Sequence, residues 1–425
     1  MLVDSQARGR ATGPTVSLAF SHFGSNVGDN AITASTIAWL RSSVWGSTIR
    51  SFHLSRGSWS EWGRQQVSDW VGKTVESTEL GSLKERVARE LEQDPHLERP
   101  ERLLEACSDI DGFDEMRSTD LLVVPGGENL FCDGSRQQHI DLCVRLLPAI
   151  CSWVDKTPCI WLPSTFGPFS GFASQSVLRF LRSNVMVSGA RDLESVFQFG
   201  YQGEDGSVLP LRPDMAYLLP DFSGTRPAGA QTVLLAPRLD RYGLKSGRNA
   251  SKQQIGLARK TRFLSSETVK LFLKVAEKFI SRGWIVEIVA HAQADRDLAQ
   301  FIATTVHASS VRLVDSLKLA DIRDAYLRSD TVVTARFHGA VFGHLSQSRL
   351  VIVEFDNMSQ KMRSVGAPFG SCSPRISAKS PGIVRDRILL EDSGQRVLQT
   401  RINRQRTALR NELAAMLRKA EEWST

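Results

Sequence analysis

Asp330-Thr-Val-Val-Thr-Ala-Arg336-Phe-His338-Gly339-Ala-Val-Phe-Gly-His-Leu345, followed by Leu350-Val-Ile-Val-Glu-Phe-Asp356, decides how this chain is read. The β-branched run 331–334 predicts a buried strand, Gly339 opens a short apolar helix, and a second apolar strand covers 350–355. Residues two apart on extended backbone share a side, so Arg336 and His338 are expected to face one ligand. They fall where a strand ends and a helix begins, the natural anion site of open α/β sheets. A permanent cation beside a titratable imidazole suits the binding and protonation of a phosphorylated substrate.

Working outward, strands and helices alternate on both sides of this segment. Strands are expected at 15–20, 47–52, 120–124, 159–162 and 185–188, with helices at 29–42, 135–152, 174–182 and 192–199. Residues 220–230 are rich in Pro, Gly and Asp and mark a linker. Beyond it strands are expected at 232–236, 284–290 and 311–314. Helices are expected at 266–282, capped by Ser265, and at 295–308 and 317–328. Two sets of βα units imply an α/β protein of two doubly wound, Rossmann-like domains facing a cleft. Their expected spans are 1–220, with a helical insertion at 54–118, and 230–380. A basic helix over 394–423 carries one apolar stripe at Leu398, Ile402, Leu409, Leu413, Met416 and Ala420. It is expected to pack back across the domains, with dimerisation (a homo-oligomer) or a membrane-surface role second.

The 425 residues hold 53 Lys and Arg against 46 Asp and Glu, a formal +7 that favours anionic partners without naming one. The basic residues cluster in the loop 241–262 and the last helix without interleaved aromatics, so no nucleic acid is expected. Six cysteines contain no Cys-x-x-Cys pair and predict reduced thiols and no metal site. No apolar run approaches the ~20 residues of a membrane span, and a cytoplasmic protein is expected.

Four further segments sit at predicted strand ends. Phe23-Gly24-Ser25-Asn26-Val27-Gly28-Asp29-Asn30 offers a tight turn and a helix cap at Asp29 or Asn30. Pro125-Gly126-Gly127-Glu128 leads on to Asp133, and both acids are acid/base candidates. Ser164-Thr165-Phe166-Gly167-Pro168-Phe169 places hydroxyls beside a glycine, and Ala190-Arg191-Asp192 sends Arg191 towards the ligand rim. None is the dinucleotide fingerprint or a phosphate-binding P-loop.

As an ordered series over about 16–363, closed by Arg336-Phe-His338-Gly339, these segments resemble the polysaccharide pyruvyl transferase family. Pro125-Gly126-Gly127-Glu128 departs from the usual glycine triplet, Asn30 from a common acid and Phe337 from a usual leucine. The resemblance implies a GT-B-like fold and transfer of pyruvate from phosphoenolpyruvate onto sugar hydroxyls as a ketal. The donor's two anions call for Arg336, with Arg238 or Arg191 second and Lys361 as a further cation. His338 is the expected acid and Asp133 or Glu128 the expected base. Gly24, Asn26, Gly28, Asp29, Gly126, Gly127 and Ser164 are expected to line substrate. No cofactor enters this scheme, and the acceptor is a sugar or glycan precursor, lipid-linked or free. Trp59, Trp62 and Trp161 could stack on sugar rings, though core packing is the commoner use. A GT-B glycosyltransferase using a nucleotide sugar, and a non-catalytic binding subunit, are the rival readings.

Overall fold

The computed structural model describes residues 13–44, 46–54, 58–95, 98–132, 134–169, 180–202, 207–220, 222, 231–238, 266–306, 308–354, 360–370, 375–377 and 393–423. The chain divides into two compact units. Unit 1 is Met1–Gly24, Asp29–Leu219 and Arg404–Thr425; unit 2 is Ser25–Gly28 with Pro220–Asn403.

Unit 1 begins with β1 (Thr15–Leu18), α1 (Val27–Ser43), β2 (Thr48–His53), α2 (Ser58–Val71) and β3 (Ser77–Glu79). The insertion continues with α3 (Leu83–Gln93), α4 (Glu101–Cys107) and α5 (Phe113–Arg117). Leu83, Val87 and Leu91 form a buried stripe on otherwise charged α3. They join Leu103, Leu104, Cys107, Phe113 and Met116 in the core, so the charged stretch is amphipathic and buries one face. Then come β4 (Leu121–Val124), β5 (Gly127–Cys132), α6 (Arg136–Asp155), β6 (Cys159–Trp161), β7 (Ser164–Phe169), β8 (Met186–Val187) and α7 (Leu193–Phe199). A hairpin of β9 (Tyr201–Gln202) and β10 (Ser207–Val208) follows.

The main sheet runs β3-β2-β1-β4-β6-β8, with every pairing parallel. All four β4 residues are buried, as a parallel strand covered on both faces requires. The winding reverses between β1 and β4, which makes their carboxyl ends the topological switch point. A second, two-stranded parallel sheet pairs β5 with β7. In the sequence both segments fall at the ends of predicted strands; the glycine and proline that interrupt them hide their own strand pairing.

Unit 2 repeats the plan with β11 (Thr232–Ala236), α8 (Glu267–Ile280), β12 (Ile285–Val289), α9 (Gln293–Val306), β13 (Val311–Val314) and α10 (Leu319–Arg328). It continues with β14 (Thr331–Thr334), α11 (Phe337–Leu345), β15 (Arg349–Glu354), α12 (Gln360–Arg363) and β16 (Arg375–Ser377). The sheet order β13-β12-β11-β14-β15-β16 is all parallel and reverses between β11 and β14.

The last helix, α13 (Ser393–Trp423), counts with unit 2 up to Asn403 and with unit 1 from Arg404. Within unit 2, Arg401 Nη1 donates to the Gly370 carbonyl (2.9 Å). Within unit 1, Arg212 pairs with Glu412 and Arg406 Nη2 donates to the Leu219 carbonyl (3.3 Å). The buried stripe is Ile402, Leu409, Leu413, Leu417 and Ala420; Leu398 and Met416, expected in it, are half-buried. The α8 cap is Ser266, whose hydroxyl accepts from Val269 N (3.4 Å), one residue later than expected. Trp161 is 1 % exposed, a core residue and no sugar platform. Among the described residues no helix is long and apolar enough to cross a membrane. The basic stretch 241–262, the expected strand end at 355 and Cys372 lie outside the described residues.

Candidate active site

At the switch point of unit 2, Ala236 on β11 pairs with Thr334 on β14. Ala335 N then donates to the Ala236 carbonyl (3.1 Å), so the two strands leave the sheet together. Arg238 and Arg336 each stand two residues past that matched pair. The Thr334 hydroxyl accepts from Arg336 N (2.9 Å) and turns the chain into α11.

Arg336 is the N-cap, with extended φ −109° and ψ 134°, and α11 starts at Phe337. His338 therefore lies in the first helical turn, and the extended i, i+2 geometry expected for the pair is corrected to a cap and a helical residue. The helix begins early because Gly339 lets it press onto β14: a β-carbon there would lie 2.3 Å from Thr334 Oγ1 and 3.1 Å from the Tyr326 hydroxyl.

Two residues that sequence reasoning missed complete this cluster. His291 follows β12 and Asp295 lies in the first turn of α9; they are 1 % and 2 % exposed. Asp295 forms an ion pair with Arg336, whose side chain is 14 % exposed. Asp295 Oδ2 and Arg336 Nε are buried and have no hydrogen-bond partner among the described residues. Such atoms cost free energy unless something satisfies them. His291 Nε2 meets the Tyr326 hydroxyl at 2.8 Å, and its ring stacks on Phe342 at 5.5 Å. Burial, then the charges of Arg336 and His338, hold the His291 imidazole well below its usual pKa and hence neutral. The spacing His291-x-x-x-Asp295 at a strand end was the available signal.

The segment Ser25–Gly28 is the remaining part of this cluster. Val27 N donates to the His291 carbonyl (2.9 Å) and Asn26 bridges Ala292 in antiparallel fashion. A β-carbon on Gly28 would lie 2.0 Å from His338 Nδ1 and 2.2 Å from its Cγ, so the imidazole lies against this glycine. Asn26 Oδ1 accepts from Gly28 N (3.1 Å), which gives the capping role to Asn26 in place of the expected Asp29 or Asn30.

In unit 1 the predicted residues divide. Asn30 clasps the Gly24 backbone, accepting from its N–H (3.1 Å) and donating to its carbonyl (2.9 Å). An aspartate could not do both, which accounts for asparagine at this position. Gly126 and Gly127 follow β4 at the switch point, and Gly126 presents its carbonyl to His22 Nε2 at 3.2 Å. Asp29 is half-buried near His22 and acts on it electrostatically.

Two expectations in unit 1 are corrected. Arg191, 2 % exposed, pairs with the buried Asp214 and donates to Thr165 Oγ1 (3.0 Å), so it braces the interior and does not reach a rim. The Ser164 hydroxyl, fully buried, donates to the Leu162 carbonyl (2.9 Å) and accepts from Trp161 Nε1 (3.2 Å), which makes it structural. Asp133 lies outside the described residues, as do the side chains of Glu128, Lys361 and Trp59. A concavity of about 660 Å³ in unit 1 is lined by Thr15, Asp114, Arg117, Asp120 and Asp155. It lies at the amino ends of β1 and β4, the wrong end of a parallel sheet for ligand binding. Among the described residues no three metal-ligating side chains converge.

The family model for polysaccharide pyruvyl transferase matches residues 26–354, from Asn26 through Arg336 and His338 to the end of β15. The chain belongs to that family. A comparison with curated proteins finds no match. Among solved structures, UDP-GlcNAc 2-epimerase from Neisseria meningitidis is similar at TM-score 0.54 and 11 % identity, covering 95 % of this chain and 100 % of its own. The putative UDP-N-acetylglucosamine 2-epimerase from Listeria monocytogenes gives 0.51 at 9 % identity, covering 92 % and 95 %. At such identities the likeness concerns the fold, which is GT-B-like: α/β with a parallel sheet in each of two domains.

Proposed function

We propose that this family member transfers pyruvate from phosphoenolpyruvate to two hydroxyls of a sugar in a polysaccharide or glycan precursor, forming a ketal. The observation that carries the reading is the pair of arginines, Arg238 and Arg336, set two residues beyond matched positions on β11 and β14, with His338 in the next turn. Phosphoenolpyruvate bears a carboxylate and a phosphate, and two guanidinium groups at one sheet rim suit both. Each charge-assisted hydrogen bond contributes roughly 1.5–3 kcal/mol.

In this scheme His338 delivers a proton to the methylene carbon of the enol, and C2 becomes electrophilic. One sugar hydroxyl attacks C2, the bond from C2 to the phosphate oxygen breaks, and a second hydroxyl closes the ketal. One hydroxyl proton balances the one added to carbon and the other leaves on phosphate. Asp295 orients Arg336, and neutral His291 adds no competing charge beside the donor. Glu128 or Asp133 would accept the hydroxyl proton.

The test is calorimetric titration with phosphoenolpyruvate and, separately, with nucleotide sugars, together with mass analysis of pyruvylated sugar and release of phosphate. Binding of phosphoenolpyruvate that is lost in Arg336→Met and His338→Ala supports the reading. Preference for a nucleotide sugar overturns it in favour of glycosyl transfer.

A further inference from the structure

A second cationic position, unused by the donor scheme, stands at the switch point of unit 1. After β1 the chain turns at Phe20, whose φ of 59° is left-handed and costly for a bulky side chain. Ser21 N donates to the Phe52 carbonyl (2.7 Å) and Ser21 Oγ to the Leu18 carbonyl (3.2 Å), which pin that turn. The Phe20 ring, 1 % exposed, then lies 5.9 Å from the guanidinium carbon of Arg145 on α6. The next side chain to emerge is His22, held to the Gly126 carbonyl at the end of β4.

Arg145 makes no hydrogen bond or ion pair among the described residues. Asp141, one helical turn earlier on α6, is paired instead with Lys84 at 2.5 Å. Burial pulls the guanidinium below its ordinary pKa, opposed in part by Asp141 and Asp29. Arg145 is half-buried, and a guanidinium partly shielded from water with no carboxylate at contact distance leaves its donors open to an anion. Backbone strain of the kind found at Phe20 clusters at ligand sites.

We infer that Arg145, seated on Phe20 beside His22 and Gly126, binds an anionic group, phosphate or carboxylate, carried by the acceptor sugar. This rests on the assignment of the donor to unit 2 and deepens it by giving the acceptor its charge. Phosphoenolpyruvate is the other source of such an anion, and the test separates the two.

Full-length protein is titrated calorimetrically with glucose, galactose and mannose 1-phosphates and with their neutral methyl glycosides, with and without excess phosphoenolpyruvate. The expected result is at least tenfold tighter binding of a sugar phosphate than of its glycoside. Arg145→Met should abolish that difference, Arg145→Lys should keep part of it, and both should leave phosphoenolpyruvate affinity unchanged. Excess phosphoenolpyruvate should not displace the sugar phosphate. Wild-type protein that ignores every sugar phosphate, an Arg145→Met variant that binds like wild type, or displacement by phosphoenolpyruvate each overturns the inference. Failure of phosphoenolpyruvate to bind at all would instead remove the donor assignment, with the dependence on Arg145 still read. Should Arg145→Met not fold, Arg145→Gln is read in its place.

Discussion

A β-carbon at residue 28 would meet three atoms of the His338 side chain, Nδ1, Cγ and Cβ, at 2.0, 2.2 and 2.6 Å. The ring cannot merely rotate away, because its own Cβ is among the obstructed atoms. Gly28→Ala should therefore misplace the imidazole and lower kcat/KM for pyruvyl transfer by about 100-fold. Alanine is the better helix former by about 1 kcal/mol, which offsets only part of an overpacking cost of roughly 1–3 kcal/mol, so thermal unfolding should also shift modestly downward. Kinetics and melting measured on one preparation check both halves. Arg191 makes the opposite case: it is locked to Asp214 inside unit 1. Asp214→Ala strands a buried guanidinium and should cost about 3–5 kcal/mol in urea unfolding, a loss to be seen without any substrate present. An Asp214→Ala protein as stable as wild type would return Arg191 to the list of ligands.

At the scale of elements, α13 docks Leu409 and Leu413 with no exposure and Leu417 with little. Leu413→Ala should cost about 3 kcal/mol, read as a shift in the denaturation midpoint. Element type was legible wherever burial is continuous. The runs 232–236 and 331–334 coincide with strands, because parallel strands covered on both faces show unbroken apolar or β-branched residues. The β5–β7 ladder was not legible, since Gly127 and the Gly167-Pro168 pair conceal strands whose pairing is long-range. Arg336, His338 and Arg238 could be found because each closely follows a strand. His291 and Asp295 also follow a strand, but that spacing was their only signal, since an alanine-rich helix start looks the same whether or not Arg336 reaches it. Arg145 hides for a related reason: it sits among apolar residues of a core helix, and only the turn at Phe20 gives it a role. Arg191 and Ser164 were misread because a strand-end position does not reveal which side chains the interior claims.

Across the whole molecule, four histidines share an electrostatic tendency. Burial lowers the pKa of His22 and His53 in unit 1 and of His291 and His344 in unit 2, His344 to about 4. Each is neutral when folded and gains a proton near pH 6.5 when unfolded, so the unfolded chain binds more protons as pH falls. The contribution of these histidines should be flat above about pH 7.5 and decline below 6.5. His344 alone should account for roughly 3 kcal/mol by pH 4, where its folded form also begins to protonate. Urea unfolding at pH 7.5 and 5.0 should show the decline, and His344→Phe should remove its part of it. A flat profile across that interval would contradict these environments.

The division of the chain also bears on dissection. Four residues from near the start, Ser25–Gly28, count with the second unit, while the end of the last helix, from Arg404, counts with the first. No single cut of the polypeptide therefore yields two complete halves. A fragment starting after the linker would lack the glycine against which His338 rests, and one stopping there would lack Leu409 and Leu413. Separately expressed halves should fail to behave as native pieces. A working split protein would have to supply the 25–28 segment in trans.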